Sequence, residues 1–251
     1  MTENKPAFWT SLPGILTGLA AIITASVGLY LAIIRDSKPP DQSASTAQSP
    51  IKPSVPPYEK WSIWKEETFK DNSRGWNVGN LKIGGFKRVE LELVDGKYRW
   101  DLETLGDRSF WWEAPFGSLD DFYVSSSLRF LDPTLVRTYA GIVFGSSAGT
   151  SYYFVISPRQ QFALWKFAEG GAKSTVILAW TPVQIDLHSS IHLGIQVDNR
   201  QLSLFVNSER VGSVTESSFT GGKMGLFAGS EEAAAFVVDF DDFTIRQKPS
   251  H

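Results

Sequence analysis

A β-hairpin is encoded in residues 89–102, which read Val-Glu-Leu-Glu-Leu-Val-Asp-Gly-Lys-Tyr-Arg-Trp-Asp-Leu. Apolar residues alternate with polar ones on both sides of Asp95-Gly96, as they do in strands that bury one face. Asp-Gly is a preferred pair for a two-residue hairpin turn, because both turn positions need a positive φ. The sequence therefore predicts two antiparallel strands here, with Tyr98, Trp100 and Leu102 on the buried side.

The same alternation continues toward the C-terminus in short segments separated by turn residues. Further strands are predicted at Phe122–Phe130, Tyr139–Phe144, Tyr152–Ile156, Phe162–Phe167, Ser174–Trp180, Ile191–Val197, Leu202–Val206, Lys223–Ala228 and Ala235–Ile245. Turns are predicted at Ser157–Gln160, Glu169–Gly171, Asp198–Gln201 and Asn207–Arg210. About a dozen strands joined mostly by hairpins are typical of an antiparallel sandwich. We therefore predict an all-β fold for residues 58–248, an antiparallel jelly-roll β-sandwich.

The last predicted strand changes phase within its length. Phe236, Val238 and Phe240 share one parity, whereas Phe243 has the other, so a β-bulge is predicted at Asp241-Asp242. The carboxylates of Asp239, Asp241 and Asp242 are hard oxygen ligands that suit a structural calcium ion. The alternative is that one of these aspartates bonds the backbone of the first strand near residues 69–71.

An apolar segment near the N-terminus, Leu12–Ile34, contains no charged residue. At about 1.5 Å per residue a helix of this length spans roughly 34 Å, which matches a hydrocarbon core of about 30 Å. We expect an uncleaved transmembrane helix after a short tail, residues 1–11. The alternative is a cleaved signal peptide, whose apolar region is usually only about 7–15 residues long.

Small residues recur along this predicted helix with a period of 3.5 residues. They are Gly14, Gly18, Ala21, Ala25, Gly28 and Ala32. Such a seam lets a second backbone approach closely, and the pattern predicts packing against another copy or against a helix of a larger membrane complex. The competing explanation is that Gly and Ala are simply common in membrane helices.

Residues 35–57 are rich in Pro, Ser, Thr and Gln, and this composition predicts a disordered, extended linker. Positive charges flank the helix on both sides, with Lys5 before it and Arg35 and Lys38 after it. The count slightly favours a cytoplasmic linker, but a long domain translocates largely regardless of these charges. We therefore expect a single-pass protein of the cell membrane with its sandwich outside the cytoplasm.

Composition excludes several classes of function. A net charge of −3, without a basic stripe, gives no potential for neutralising phosphates, so no nucleic-acid partner is expected. The chain has no cysteine and three histidines, which removes thiol nucleophiles and cysteine zinc sites. His188 and His192 lack the glutamate and the helix of a zinc protease motif and are expected at the surface. Gly145–Gly149 joins two strands and so is no nucleophile elbow.

Five segments resemble the concanavalin A-like lectin/glucanase superfamily. They are Phe69–Trp76 (Phe-Lys-Asp-Asn-Ser-Arg-Gly-Trp), Asp95–Trp100, Phe162–Lys166, Val206–Ser208 and Val238–Phe243. Their order is most similar to the laminin-G-like and family-16-glucanase-like jelly rolls found as outer domains of bacterial membrane proteins. The resemblance covers residues 66–245. It implies a domain that binds sugars or proteins, since only some members cleave glycans.

The catalytic motif of the family's enzymes is not found in this sequence. Those enzymes carry Glu-x-Asp-x-x-Glu on one strand, which places the acid and the nucleophile on the same face. The nearest pattern here is Glu90 and Glu92, followed by Asp95 in the predicted turn. A strand face in contact with water explains the two glutamates better than a catalytic site does. We therefore expect a protein that is not an enzyme.

Aromatic residues are the main candidates for ligand contacts. Trp111 and Trp112 are consecutive and must point to opposite faces of a strand, so one of them is expected outward. Trp180 stands at a predicted strand end and is a second candidate. Flat rings serve a core as well as a sugar-stacking platform, so the core explanation stays open for each residue.

These observations favour a membrane-anchored, non-catalytic binding module for a glycan or a cell-envelope polysaccharide. The first alternative is an accessory subunit that docks on a larger membrane complex through its transmembrane helix and uses the sandwich to bind protein. A glycan-active enzyme is the second alternative.

Overall fold

The structure is a computed structural model and describes residues 57–169 and 173–249. The predicted transmembrane helix (12–34), the tail before it and nearly all of the linker lie outside the described residues. So do the six residues of the predicted packing seam, Gly14, Gly18, Ala21, Ala25, Gly28 and Ala32. In the part of the chain that is described, no helix has the length and apolar content needed to cross a membrane.

The described residues form a short 3-10 helix, Pro57–Lys60, followed by fifteen strands. They are β1 Ser62–Glu67, β2 Gly79–Asn80, β3 Phe86–Val94, β4 Lys97–Thr104, β5 Arg108–Glu113, β6 Phe122–Phe130, β7 Thr138–Ser147, β8 Thr150–Ser157, β9 Gln161–Ala168, β10 Lys173–Pro182, β11 Ile191–Asp198, β12 Gln201–Val206, β13 Glu209–Thr215, β14 Lys223–Ser230 and β15 Ala235–Gln247. All described strand pairs are antiparallel.

Two sheets enclose the core. The nine-stranded sheet has the order β13-β12-β11-β6-β15-β4-β3-β2, with β1 paired to β15, and the six-stranded sheet has the order β10-β9-β8-β7-β14-β5. Side chains of both sheets meet between them: the rings of Trp100 and Phe110 are 5.0 Å apart and inclined by 64°. The predicted antiparallel sandwich is therefore confirmed.

The β3–β4 hairpin forms as its sequence predicts. Asp95 and Gly96 have φ values of 53° and 70° and make the two-residue turn between paired Val94 and Lys97. Tyr98, Trp100 and Leu102 are completely buried. Alternation and turn chemistry therefore suffice to define this pair of strands.

The predicted bulge in β15 is also present. The register between β15 and β6 shifts between Asp241 and Thr244, and Asp242 has a φ of 51°. The shift returns Phe243 and Ile245 to the inner face, where both are fully buried. Before the bulge β15 pairs with β4, and after it with β1.

One predicted turn is longer than the observed one. Asn207 and Ser208 alone have positive φ values (49° and 70°), while Glu209 and Arg210 already belong to β13. Strand β13 was not predicted, because its residues are mostly exposed and show little apolar alternation. Strands β1 and β2 at the start of the sandwich were not predicted either.

A candidate binding face on the six-stranded sheet

The outward face of the six-stranded sheet carries aromatic side chains where a solvated face is expected to be polar. We call this surface the aromatic face. Its members are Trp111, Tyr139, Tyr153, Trp165, Phe167, Trp180 and Phe227. With Val143, Val155 and Ala163, most of them form an apolar cluster separate from the core. The sheet is therefore apolar on both of its faces.

Strand register places these residues side by side. Trp111 lies opposite Phe227, Phe227 opposite Gly141, Gly141 opposite Val155, and Val155 opposite Ala163. Residues directly opposite each other share a face, so this row crosses five strands.

Four rings form a partly enclosed space that we call the aromatic cavity. The Tyr153 ring centre lies 4.5 Å from that of Phe227, 5.0 Å from Phe167 and 6.4 Å from Trp111. Phe167 and Trp111 stand nearly perpendicular to Tyr153, at 80° and 85°. The cavity has a volume of about 420 Å³, and its remaining lining residues are Ser109, Glu113, Ser146, Gly149 and Ser151.

A second aromatic group lies on the same face. Trp165 is 5.3 Å from Trp180 at an angle of 88° and 5.3 Å from Tyr139 at 90°. Burial raises the pKa of Tyr139 well above its ordinary value and that of Tyr153 to about 12. Both phenols therefore stay protonated at neutral pH and can donate hydrogen bonds.

Glu113 is the one carboxylate within the six described strands of this sheet. Ser146 Oγ donates to its Oε1 at 2.5 Å, and Lys223 Nζ donates to its Oε2 at 2.9 Å. Ser151 Oγ extends the network by donating to Ser146 Oγ at 3.2 Å. Burial raises the pKa of Glu113, but the two hydrogen bonds and the Lys223 charge outweigh it and leave the pKa below its ordinary value. Glu113 is therefore ionised at neutral pH.

The structure separates the three tryptophans predicted to contact a ligand. Trp111 points outward and is 45% exposed. Trp112 points to the other side of β5, where it packs against the core and stacks on Phe110 at 6.3 Å. Trp180 is half-buried on the aromatic face. Trp111 and Trp180 therefore share the candidate face, and Trp112 does not.

The three aspartates of β15, predicted as candidate ligands of a structural calcium ion, lie in different surroundings. Arg99 binds both carboxylate oxygens of Asp239, at 2.7 and 2.9 Å. Asp241 is half-buried at the bulge and Asp242 is exposed. Within residues 57–169 and 173–249, no three His, Asp or Glu side chains are arranged to hold a metal ion. The alternative prediction was a bond from one of these aspartates to the backbone near residues 69–71. In the structure the backbone N–H of Phe69 donates to Glu67, while Asp239 binds Arg99.

Sequence reasoning missed Tyr139, Tyr153 and Phe227 as residues of a candidate site. An available signal was the apolar content of both parities in β8, where every residue from Tyr152 to Ile156 is buried. Such a strand is covered on two faces, which an antiparallel sandwich normally does not require.

No protein-family model and no curated protein matches the sequence. Solved structures do match the sandwich, but their sequence identities are so low that the likeness shows only a common fold. A Bacillus subtilis protein of unknown function with a galectin-like fold matches with a TM-score of 0.54 at 11% identity, over 74% of this chain and 96% of that one. The laminarinase catalytic domain of Thermotoga maritima matches with a TM-score of 0.52 at 8% identity, over 76% and 99%.

A third match comes from the endo-acting O-glycanases that members of the human gut microbiota express to initiate mucin breakdown. Its TM-score is 0.52 at 10% identity, and the match covers 75% of this chain and 100% of that one. Lectin-like and glycan-cleaving domains thus share this architecture, so the fold by itself does not separate binding from catalysis. The described sandwich has the jelly-roll fold that these solved structures share.

Proposed function

We propose that this protein is a membrane-anchored, non-catalytic module that binds a glycan on the aromatic face. The observation that carries the proposal is the set of rings on the outward side of the six-stranded sheet. The exposed ring of Trp111 offers apolar area to the C–H face of a sugar, and the buried rings of Tyr153 and Phe227 support it from below. The hydroxyls of Ser109, Ser146 and Ser151 in the same cavity can bond sugar hydroxyls.

The exposure of Trp111 supports a ligand on this face. The ring is 45% exposed although its neighbours Tyr153 and Phe227 are buried. A ligand that covers Trp111 would remove apolar area from water, which is favourable by about 25 cal/mol per Å². Two structural neighbours, the laminarinase and the O-glycanases, act on glycans, which makes a glycan the favoured ligand class here.

The non-catalytic part of the proposal rests on the carboxylates. Glycoside hydrolysis commonly uses two carboxyl groups about 5–10 Å apart across the scissile bond. The described strands of the candidate face supply Glu113 alone, so they lack the second carboxyl group of such a pair. A glycan-active enzyme remains the alternative that a product assay tests.

The membrane part of the proposal rests on the sequence of residues 12–34, which is uncharged and long enough to cross a bilayer. The sandwich then lies outside the cytoplasm, where a cell-envelope polysaccharide is within reach. If the anchor instead docks on a larger complex, gentle solubilisation will retain partner proteins with the full-length chain.

The deciding experiment applies the full-length protein, solubilised in mild detergent, to a glycan array. We expect at least one glycan class to bind, and binding to fall in Trp111→Ala. Leu105→Ala is the matched control, because Leu105 is 67% exposed and lies outside the aromatic face. Equal binding by Trp111→Ala and the parent contradicts the proposed site, and absence of any glycan binding contradicts the function. Release of new reducing ends from a bound glycan would favour the enzyme.

A further inference from the structure

We propose that the aromatic cavity binds an ammonium group, and that the glycan therefore contains amino sugars that are not acetylated. The inference rests on the proposed glycan-binding function and adds to it the charge of the ligand. It follows from three features of the cavity: the arrangement of its rings, the carboxylate in its wall and the position of Lys223.

Four rings line the cavity, of which Tyr153 and Phe227 are buried and Trp111 is exposed. Trp111 and Phe167 stand nearly perpendicular to Tyr153, and Phe227 lies against Tyr153 with its centre at 4.5 Å. The face of an aromatic ring is electrically negative and attracts a cation that lies within about 6 Å of the ring centre. Stacking of a neutral sugar needs one flat ring, whereas a compact cation gains from several rings around it.

Glu113 places a negative charge in the same wall. Its carboxylate is ionised at neutral pH, because Ser146 and Lys223 hold its pKa below the ordinary value despite burial. An ionised carboxylate only accepts hydrogen bonds, and it bonds charged donors more strongly than neutral ones. It therefore favours an ammonium group over a hydroxyl and repels uronate or sulfate.

Lys223 pairs with this carboxylate from the side away from the aromatic cavity. The Lys223 side chain is 50% exposed and contacts Glu113 from outside the aromatic cavity, since Lys223 lines a groove beside β5 with Ile83 and Phe116. Ion pairs between partly exposed side chains are weak, because water screens them. A ligand ammonium on the cavity side can share the carboxylate with Lys223 or replace it. The volume of about 420 Å³ suits a group of monosaccharide size.

The test compares two ligands that differ at the amino group. Oligomers of β-1,4-linked glucosamine and their fully N-acetylated counterparts are titrated calorimetrically into the full-length protein at pH 6, where the free amines are protonated. We expect the glucosamine oligomer to bind about tenfold more tightly. Glu113→Gln should abolish this preference, so that the ratio of the two affinities falls from about ten to about one. Lys223→Gln should increase the preference, because it removes the competing cation.

The two variants shift the preference in opposite directions, which a general loss of structure cannot do. If Glu113→Gln fails to fold, the Lys223→Gln result alone decides, and an unchanged preference there overturns the inference. Equal affinity of the parent for both oligomers overturns the inference but leaves the proposed function standing. Failure to bind any glycan overturns the proposed function and the inference with it. Choline is included as a probe, and binding of choline without any amino sugar assigns the cavity to free quaternary ammonium compounds and overturns the inference.

Discussion

Trp111 and Trp112 are consecutive residues that lie in different environments of the protein. Alternation along β5 directs Trp111 to the aromatic face, where it contacts Tyr153, and directs Trp112 to the core beside Phe110. The prediction that one of the pair points outward is confirmed. The choice between them depends on which face of β5 packs on the nine-stranded sheet.

Replacement of the two tryptophans should therefore have different effects. Trp111→Ala is expected to weaken glycan binding by about 1–3 kcal/mol with little change in the melting temperature, because it removes an exposed stacking surface. Trp112→Ala should lower the free energy of unfolding by about 3 kcal/mol, because it leaves a cavity at the core. Denaturant unfolding and calorimetric titration of both variants measure the two quantities. A large loss of stability in Trp111→Ala would assign that ring to the fold.

His192 is half-buried near the start of β11, and its Nδ1 lies 3.3 Å from Ser127 Oγ. Burial lowers the pKa of His192, and the nearby charge of Asp242 opposes this only in part. The unfolded chain therefore binds a proton more readily than the folded protein. The free energy of unfolding is therefore highest above the unfolded pKa of about 6.5. It decreases as the pH falls from there through the lower pKa that His192 has in the folded protein.

We accordingly expect His192→Gln to lose less stability than the parent between pH 7 and pH 5. The free energy of unfolding, measured by denaturant titration at several pH values, reports the difference. His188→Gln is the control, because His188 is an exposed histidine in the loop before β11. Parallel profiles for His192→Gln and the parent would show that protonation of His192 does not cause the loss of stability at low pH.

At the scale of a single element, the bulge of β15 lets one strand serve two pairings. Asp242 has a φ of 51°, a conformation that glycine adopts easily and β-branched residues adopt at a cost. Without the extra residue, Phe243 and Ile245 would turn toward solvent. The predicted bulge at Asp241-Asp242 is therefore needed to keep both halves of β15 in the core.

Two substitutions at Asp242 test this role. Asp242→Gly should leave the free energy of unfolding unchanged or raise it by up to about 1 kcal/mol, because the strain disappears. Asp242→Val should lower it by about 1–3 kcal/mol, because its branched side chain is disfavoured at positive φ. The comparison of Gly with Val at one exposed position separates backbone strain from loss of the carboxylate. Equal stability of the two variants would show that the backbone at Asp242 is unstrained.

The predicted transmembrane helix offers a second test at this scale. Gly18→Leu combined with Ala25→Leu fills the seam of small residues while keeping the segment apolar. We expect helix association in a membrane two-hybrid assay to fall, since the backbones can no longer approach closely. Ala20→Leu with Ser26→Leu adds similar bulk off the seam and should associate as the parent does. If the seam variant also associates normally, the helix is a plain anchor.

At the scale of the whole sandwich, the two outward faces differ in how they are covered. On the nine-stranded sheet, the aromatic residues Tyr123 and Phe205 are covered by the 3-10 helix at the start of the domain, whose Tyr58 stacks on Tyr123 at 3.7 Å. On the six-stranded sheet, Trp111 and part of the aromatic cavity are open. The aromatic face is therefore the surface on which we expect a ligand.

The position of the sandwich relative to the membrane can be tested on intact spheroplasts. Protease added from outside should remove residues 58–248 and leave a short anchored fragment, because we expect the sandwich outside the cytoplasm. Immunoblotting against each end of the chain identifies the fragments, and a cytoplasmic protein serves as the control for cell integrity. Full protection of the sandwich would place it in the cytoplasm.

Local sequence patterns determined the sandwich, the β3–β4 hairpin, the β15 bulge and the outward direction of one tryptophan. These features depend on alternation and turn residues, which act between near neighbours in the chain. The aromatic cavity and the partners of Glu113 and Asp239 depend on the tertiary structure. Lys223 is 110 residues from Glu113, and Arg99 is 140 residues from Asp239. Strand order brings these residues together, and a short-range pattern contains no information about strand order.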